Sequence, residues 1–399
     1  MPKLTLDDLV LRGKRVLVRV DFNVPLERDD GGRLRVSDDT RIRAAIPTIQ
    51  AITQAGGKAI LASHLGRPKG KPDPQLSLSP VGEHLETLIG QRVRFVSNTT
   101  GEGVLKTIRN MPEGSILLLE NTRFCSEERN NDADFAARLA QLADVFVNDA
   151  FGTAHRAHAS TQGVAHLVGQ AAMGYLLQRE ITYLSQVLET PEPPFVAVLG
   201  GAKVSDKIGV ITHLLDKVDT VLLGGAMSYT FLKALGHAVG DSRVEEDRLD
   251  EARATYEQAQ GKIVLPHDHI AADAFDNDAA HRTVAGAIPD GTMGLDIGPD
   301  TIKAYREKVL AARTVVWNGP MGVFEMPNFA RGTVAMAEAL VEATTRGAMT
   351  IVGGGDSVAA LTQAGYADAV SHVSTGGGAM LEFLEGQTLP AIAALTDKT

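Results

Sequence analysis

Short runs of β-branched and other apolar residues alternate along this chain with longer stretches whose apolar positions recur every three or four residues. The short runs predict strands, and the 3.6-residue period predicts helices. In the first half the strands are expected at 15–22, 58–63, 93–96, 116–120 and 145–149. In the second half they are expected at 195–200, 221–224, 263–266, 315–318, 349–353 and 372–374. Helical patterns lie between them at 40–54, 134–143, 203–215, 244–258, 299–311 and 330–345. Alternating β and α segments predict an α/β fold, parallel sheets with helices on both faces. Two such blocks predict two doubly wound, Rossmann-like domains.

The boundary between the blocks is readable. Residues 171–189 form a long helical pattern with no strand beside it, followed by the proline-rich break Thr190-Pro-Glu-Pro-Pro-Phe195. The expected organisation is an N-terminal domain over 1–170, a connecting helix over 171–190 and a C-terminal domain over 191–388. A tail over 389–399 is too short for a unit of its own and is expected to pack back on the first domain. A chain of 399 residues suits two cores better than one.

Composition narrows the setting. No apolar run approaches the ~18 residues of a membrane span, and the N-terminus lacks the basic-then-apolar pattern of a signal peptide. The single cysteine, Cys125, reads as a small buried hydrophobe in a reducing cytoplasm. A net charge of −10 argues against nucleic acid as a partner. That charge is uneven: residues 1–180 carry +2 and residues 181–399 carry −12. The basic residues of the first part are 17 Arg and only 6 Lys, and arginine grips carboxylate and phosphate with two parallel bonds.

In open α/β sheets, ligands gather beyond the C-terminal ends of strands. The first expected strand runs into Arg19-Val-Asp21-Phe22-Asn23, whose alternation puts Arg19, Asp21 and Asn23 on one face. Arg41 opens the next helix. Later strands run into Ser63-His64-Leu65-Gly66-Arg67, Glu120-Asn121-Thr122-Arg123, and a segment holding Asn148, His155, Arg156 and His158. Any one such arginine also reads as a solvated surface residue, and any one histidine as a structural one. Repetition at four strand ends is what predicts a cage for several negative charges. Lys69 and Lys71 read as solvated.

The second half carries no Gly-x-x-x-x-Gly-Lys-Ser/Thr loop, no dinucleotide fingerprint and no protein-kinase motif. It has three glycine-rich strand-to-helix turns instead. The first, Gly200-Gly-Ala-Lys203-Val-Ser-Asp-Lys207, is expected to put both lysines on one helix face. The second, Gly353-Gly354-Gly355-Asp356-Ser357, offers a carboxylate able to hold Mg2+ beside phosphates. The third, Gly376-Gly377-Gly378, precedes a helix whose bare N–H groups suit an anion. The loop 317–325 adds Asn318 and, for ribose hydroxyls, Glu325.

The segments 19–25, 39–43, 63–68, 200–207, 295–299, 317–325, 353–357 and 374–382, in that order, resemble the phosphoglycerate kinase family across essentially the whole chain. The resemblance implies that Asp21, Phe22, Asn23, Arg41, His64, Leu65, Gly66, Arg67, Arg123 and Arg156 hold 3-phosphoglycerate. It implies that Lys203, Lys207, Gly294, Asn318, Glu325, Gly354, Gly355, Asp356 and Ser357 hold ATP or ADP, with Asp356 at Mg2+. Arg41, Lys203, Lys207, Gly377 and Gly378 would surround the transferring phosphoryl group. The implied protein is a cytoplasmic monomer, bound to neither membrane nor nucleic acid, whose domains close on their substrates about the connecting helix. Asn98-Thr99, Asp273-Ala274-Phe275 and Thr292 depart from the usual family pattern, and none is an assigned site position. A nicotinamide dehydrogenase and a non-catalytic anion-binding protein are the alternatives. The first lacks its fingerprint; the second leaves Lys203, Asp356 and the third glycine turn without a purpose.

Overall fold

The computed structural model describes residues 2–398. The chain divides into two units: one runs to Thr182 and takes in the chain again from Thr388, and the other is Tyr183–Gln387.

The first unit carries strands β1 Arg15–Val20, β2 Leu26–Arg28, β3 Leu34–Val36, β4 Lys58–Ala62, β5 Val93–Phe95, β6 Ile116–Leu118, β7 Val145–Asp149 and β8 Ala171–Met173. Its helices are α1 Thr40–Gln54, α2 Ser79–Ile89, α3 Glu102–Arg109, α4 Ala133–Ala140 and the start of α5 Tyr175–Glu189. Six strands form a parallel sheet in the order β5-β6-β4-β1-β7-β8, while β2 and β3 make an exposed hairpin. The central strands are buried on both faces, which is why they read as continuous apolar runs rather than alternating ones. Ile42, Ala45, Ile49 and Ile52 of α1 join Val16, Val18, Ala59 and Leu61 in the core. Each fully buried aliphatic side chain there is worth about 1.5–3 kcal/mol.

The second unit carries β9 Phe195–Leu199, β10 Thr220–Leu223, β11 Ile263–Val264, β12 Asp268–Ala272, β13 His281–Ala285, β14 Met293–Ile297, β15 Thr314–Asn318, β16 Met349–Gly353 and β17 His372–Val373. Its helices are α6 Ile208–Leu214, α7 Met227–Ala234, α8 Leu249–Gln258, α9 Pro299–Ala311, α10 Arg331–Thr345, α11 Gly355–Gln363 and α12 Gly377–Leu384. The parallel sheet runs β11-β10-β9-β15-β16-β17, and a separate antiparallel sheet runs β13-β12-β14. Trp317, fully buried, anchors the core beneath β15. The last helix, α13 Pro390–Ala393, belongs to the first unit: the Ala391 N–H donates to the Ala154 carbonyl at 3.1 Å, and that of Thr396 to Ala171 at 2.9 Å. Among the described residues no helix is long and apolar enough to cross a membrane.

Some expectations need correction. The helix expected from residue 171 begins at Tyr175, because Ala171–Met173 pair with β7 as a sheet edge. Gly174 separates the two; a Cβ there would lie 2.2 Å from Asp149 Oδ1. That same carboxylate accepts from the N–H groups of Leu176 and Leu177 and so starts the helix. The first strand stops at Val20 rather than 22, because the Phe22 N–H donates to Ser63 Oγ instead of a strand neighbour. The helix expected from residue 203 begins at Ile208. Ser205, through its N–H and its hydroxyl, is held by the Glu245 carboxylate at 3.1 and 2.7 Å, which diverts the segment from helical bonding. Lys203 and Lys207 therefore do not share a helix face. The strands β12–β14 were not expected at all: β13 is largely exposed and lacks apolar alternation, whereas β12 and β14 are largely buried but interrupted by Asp268, His269, Gly294 and Asp296.

Candidate functional site

Parallel pairing sends the C-terminal ends of β6, β4, β1 and β7 to one edge of the first sheet. The chain's path reverses between β1 and β7, the position at which such sheets bind ligands. Arg41, at the start of α1, donates to Asp21 Oδ2 and to the Asn23 carbonyl, both at 3.2 Å. Asn23 Oδ1 accepts from the Gly66 N–H at 2.8 Å, and the Gly66 carbonyl accepts from Arg123 Nη1 at 2.8 Å. The loop after β4 is thus stitched to those after β1 and β6. Asn121 adds to this stitching: its amide bonds both polar groups of Leu65, at 3.2 and 2.7 Å, and its Oδ1 also accepts from the Arg123 N–H.

Beneath these loops lies a fully buried arginine. Arg19 Nε donates to Ser160 Oγ at 2.8 Å, and its Nη2 lies 3.2 Å from His64 Nδ1. Asp21 Oδ1 is 3.8 Å from the same ring nitrogen, so Arg19 and Asp21 do meet on one side. Burial and then Arg19, Arg123, Arg156 and Arg41 hold the His64 imidazolium far below the usual histidine range. Burial and neighbouring arginines likewise hold His158 down to about 3 and His155 to about 4. Burial and Arg156 bring Arg123 down to about 10. Neutral histidines among crowded guanidinium groups mark a strongly positive field, suited to a polyanion. Arg67 stands exposed at the rim, after Gly66 with φ 61°. Phe22 and Leu65 are buried beneath the loops.

In the second unit the path reverses between β9 and β15, and the glycine turns follow β9, β16 and β17 around that point. Asn318, at the end of β15, accepts a hydrogen bond from the buried Lys207 ammonium through Oδ1, while its Nδ2 is buried without a partner. Burial brings Lys207 down to about 8, against the pull of Asp206, Asp356 and Glu385, so it stays charged at neutral pH. Ser357 Oγ accepts from the Gly319 N–H at 2.6 Å, tying the second glycine turn to the loop after β15. A Cβ at Gly354, where φ is 91°, would lie 3.1 Å from the Asn318 amide; one at Gly377 would lie 3.7 Å from Gly354 Cα. The N-termini of α11 and α12 therefore sit side by side, near Lys207 and Asn318, presenting backbone N–H groups to an anion. Asp356, in the first turn of α11, is exposed. Gly294 lies on β14 against Tyr229, whose Oη would be 2.2 Å from a Cβ there. The Val323 N–H donates to the Leu295 carbonyl at 2.9 Å, which brings the loop carrying the exposed Glu325 beside Gly294.

Most of the expected positions lie beyond a strand end or in a glycine turn, whereas Arg41 opens α1 and Gly294 lies near the start of β14. The sequence reading missed Glu128, Ser160 and Asn121 in the first unit and Glu245 in the second. Glu128 sits in the string Ser-Glu-Glu-Arg, which reads as solvated surface, yet it is fully buried. Cys125 is half-buried, and burial raises its thiol pKa, as suits an unreactive cysteine.

A model of the family described as phosphoglycerate kinase matches residues 6–387. A phosphoglycerate kinase of Salinibacter ruber is 62% identical over 397 residues, spanning all of both chains. One from Moorella thermoacetica is 56% identical over 402 residues, again spanning both chains fully. The solved structure of phosphoglycerate kinase from Coxiella burnetii superposes with a TM-score of 0.88 at 42% identity, covering 98% of each chain. These likenesses favour neither a nicotinamide dehydrogenase nor a non-catalytic anion-binding protein.

Proposed function

The chain belongs to the phosphoglycerate kinase family and transfers a phosphoryl group reversibly between ATP and the carboxylate of 3-phosphoglycerate; from that premise we propose how its residues divide the work. Asp21, Phe22, Asn23, Arg41, His64, Leu65, Gly66, Arg67, Arg123 and Arg156 hold 3-phosphoglycerate. Lys203, Lys207, Gly294, Asn318, Glu325, Gly354, Gly355, Asp356 and Ser357 hold the nucleotide. The observation that carries this reading is the convergence of Arg41, Arg123 and the buried Arg19 on the loops after β1, β4 and β6 around His64. Such a convergence recognises a small polyanion.

The acceptor is a carboxylate, ionised at neutral pH with a reference pKa near ~4. No general base is needed. The obstacle is the approach of one anion to another, so rate enhancement rests on positioning and charge neutralisation. Arg41, Lys203, Lys207 and the N–H groups of Gly377 and Gly378 supply that neutralisation. Mg2+ fits the donors present. Asp356 is an exposed carboxylate at a helix start, and no cluster of three or more His, Cys, Asp or Glu side chains among the described residues forms a metal site by itself. That pattern suits an ion carried mainly by nucleotide phosphates. When bound, Mg2+ would offset charge on the phosphate oxygens. Because each substrate has its own unit, transfer requires the two to be brought together, with water excluded to prevent hydrolysis. A single cysteine supports a cytoplasmic setting and a net charge of −10 argues against nucleic acid as a partner, while a monomer without a membrane anchor is what the family resemblance implies.

The test is a coupled assay with ATP, 3-phosphoglycerate and Mg2+, repeated without Mg2+. Turnover to 1,3-bisphosphoglycerate that stops without the metal supports the whole reading. Turnover that persists after metal removal overturns the role of Asp356.

A further inference from the structure

The cage is crowded with positive charge, yet a carboxylate is built into its wall. Glu128 is fully buried. Its Oε1 accepts from Ser160 Oγ at 2.5 Å and from Thr122 Oγ1 at 3.4 Å, and its Oε2 accepts from the Ser160 N–H at 3.0 Å. Ser160 Oγ in turn accepts from Arg19 Nε at 2.8 Å. His158 Nδ1 lies 3.9 Å from Oε1. An unbroken chain therefore links Glu128 through Ser160 to Arg19, and Arg19 lies against His64. Glu128 differs from Asp21, the other carboxylate of the cage. The Asp21 side chain is 11% exposed beside Arg41, whereas the Glu128 side chain is 0% exposed.

A buried carboxylate of this kind does two things at once. It relieves the mutual repulsion of the guanidinium groups, and it subtracts from the attraction they exert on a bound anion. Glu128 pulls the pKa values of Arg19 and Arg123 upward, against Arg156, so its charge is felt across the cage.

We propose that Glu128 is the fixed counter-charge of the cage: a positioning residue that lowers affinity for the bound polyanion, so that substrate and product are gripped but still leave. This rests on the reading of the cage as the 3-phosphoglycerate site. Electrostatic affinity across several ångströms of low-dielectric protein scales with the ligand's charge. Removing one internal negative charge therefore tightens binding, and tightens it most for the most highly charged ligand.

The test is Glu128→Gln, which keeps the shape. The Gln carbonyl takes the place of Oε2 and accepts from the Ser160 N–H, while its amide donates to the Ser160 or Thr122 hydroxyl. The dissociation constant for 3-phosphoglycerate is expected to fall about tenfold, that for inorganic sulfate by less, and both gains to shrink in high salt. The KM for 3-phosphoglycerate falls in step. Glu128→Asp, which keeps the charge, is expected to give no tightening. Equal or weaker binding in a folded Gln variant overturns the proposal, as does an equal gain for both ligands or tightening in the Asp variant. So does a Gln variant that stays unfolded even with 3-phosphoglycerate present, because a tighter ligand must stabilise the folded state more. Failure of the parent protein itself to bind 3-phosphoglycerate would instead strike the reading of the site.

Discussion

Lys203 and Lys207 lie four residues apart yet meet different surroundings. Lys207 is buried against Asn318, whereas Lys203 is exposed on a turn held by Glu245. Burial suits Lys207 to fix the turn, and exposure suits Lys203 to follow a charge that appears only during transfer. Lys203→Ala, and likewise Arg41→Ala, is expected to lower kcat by about 10²–10³ while weakening substrate binding much less. Steady-state kinetics beside direct binding measurements check this, and an unchanged kcat in both variants sinks the assigned roles. At this scale the sequence carries a signal where a charged residue type stands at or just beyond a strand end, as with Arg19 and Arg123, or opens a helix, as with Arg41. It was not readable for Glu128 or Ser160. Nothing in a single chain tells a buried carboxylate from a solvated one until the fold places an arginine network above it.

At the scale of elements, three strand-borne aspartates start helices. Asp149 of β7 accepts from the N–H groups of Leu176 and Leu177 on α5, and Asp296 of β14 from Gly332 on α10. Asp268 of β12 accepts from the Asp300 and Thr301 N–H groups and the Thr301 hydroxyl, at 3.0, 2.8 and 2.6 Å. The balance of burial against hydrogen bonding decides the charge state, and for Asp149 burial wins even against bonds from Thr48, Leu176 and Leu177. Burial raises Asp149 and Asp296 to about 7; it also opposes ionisation of Asp268, but the bonds from Thr301 and Asp300 outweigh it and hold that carboxyl low. For Asp149 and Asp296 the folded pKa exceeds the unfolded one, so the stability they add is present below about pH 4 and lost as pH rises through about 7. For Asp268 the sign reverses: its contribution is present above the unfolded pKa and lost in acid. At pH 8, Asp268→Asn is expected to cost about 2 kcal/mol and Asp149→Asn markedly less. Thermal melts of both variants between pH 4 and 8 check it; equal losses at pH 8 would refute the difference. The main strands were legible because buried parallel strands are uninterrupted apolar runs. The exposed strand β13 and the three-residue edge β8 were not, since neither carries enough apolar pattern to stand out from a loop or helix.

At the scale of the molecule, the first unit is assembled from two distant pieces of chain. Lys3 Nζ donates to the Ala393 and Leu395 carbonyls at 2.9 and 2.8 Å, the Leu4 N–H to Thr396 at 2.9 Å, and Leu389, Ala391 and Leu395 are buried. Ending the chain at Gln387 is expected to lower the melting temperature of the first unit by roughly 10 °C. Nucleotide binding by the second unit should be unaffected. Calorimetry with and without ADP separates the two, and an unchanged first transition would show that the tail is dispensable. Shortness alone was the ground for expecting the tail to pack back; which groups it meets could not be read, because pairing across most of the chain leaves no local mark. There is also a consequence in time. On the ribosome, the 387th residue must be made before the piece that completes the first unit appears. A chain that ends there holds every piece of the second unit but leaves the first incomplete. Synthesis abandoned soon after the 387th codon would leave a chain able to take up nucleotide but poorly equipped to hold the acceptor, and open to proteolysis at its unfinished first unit.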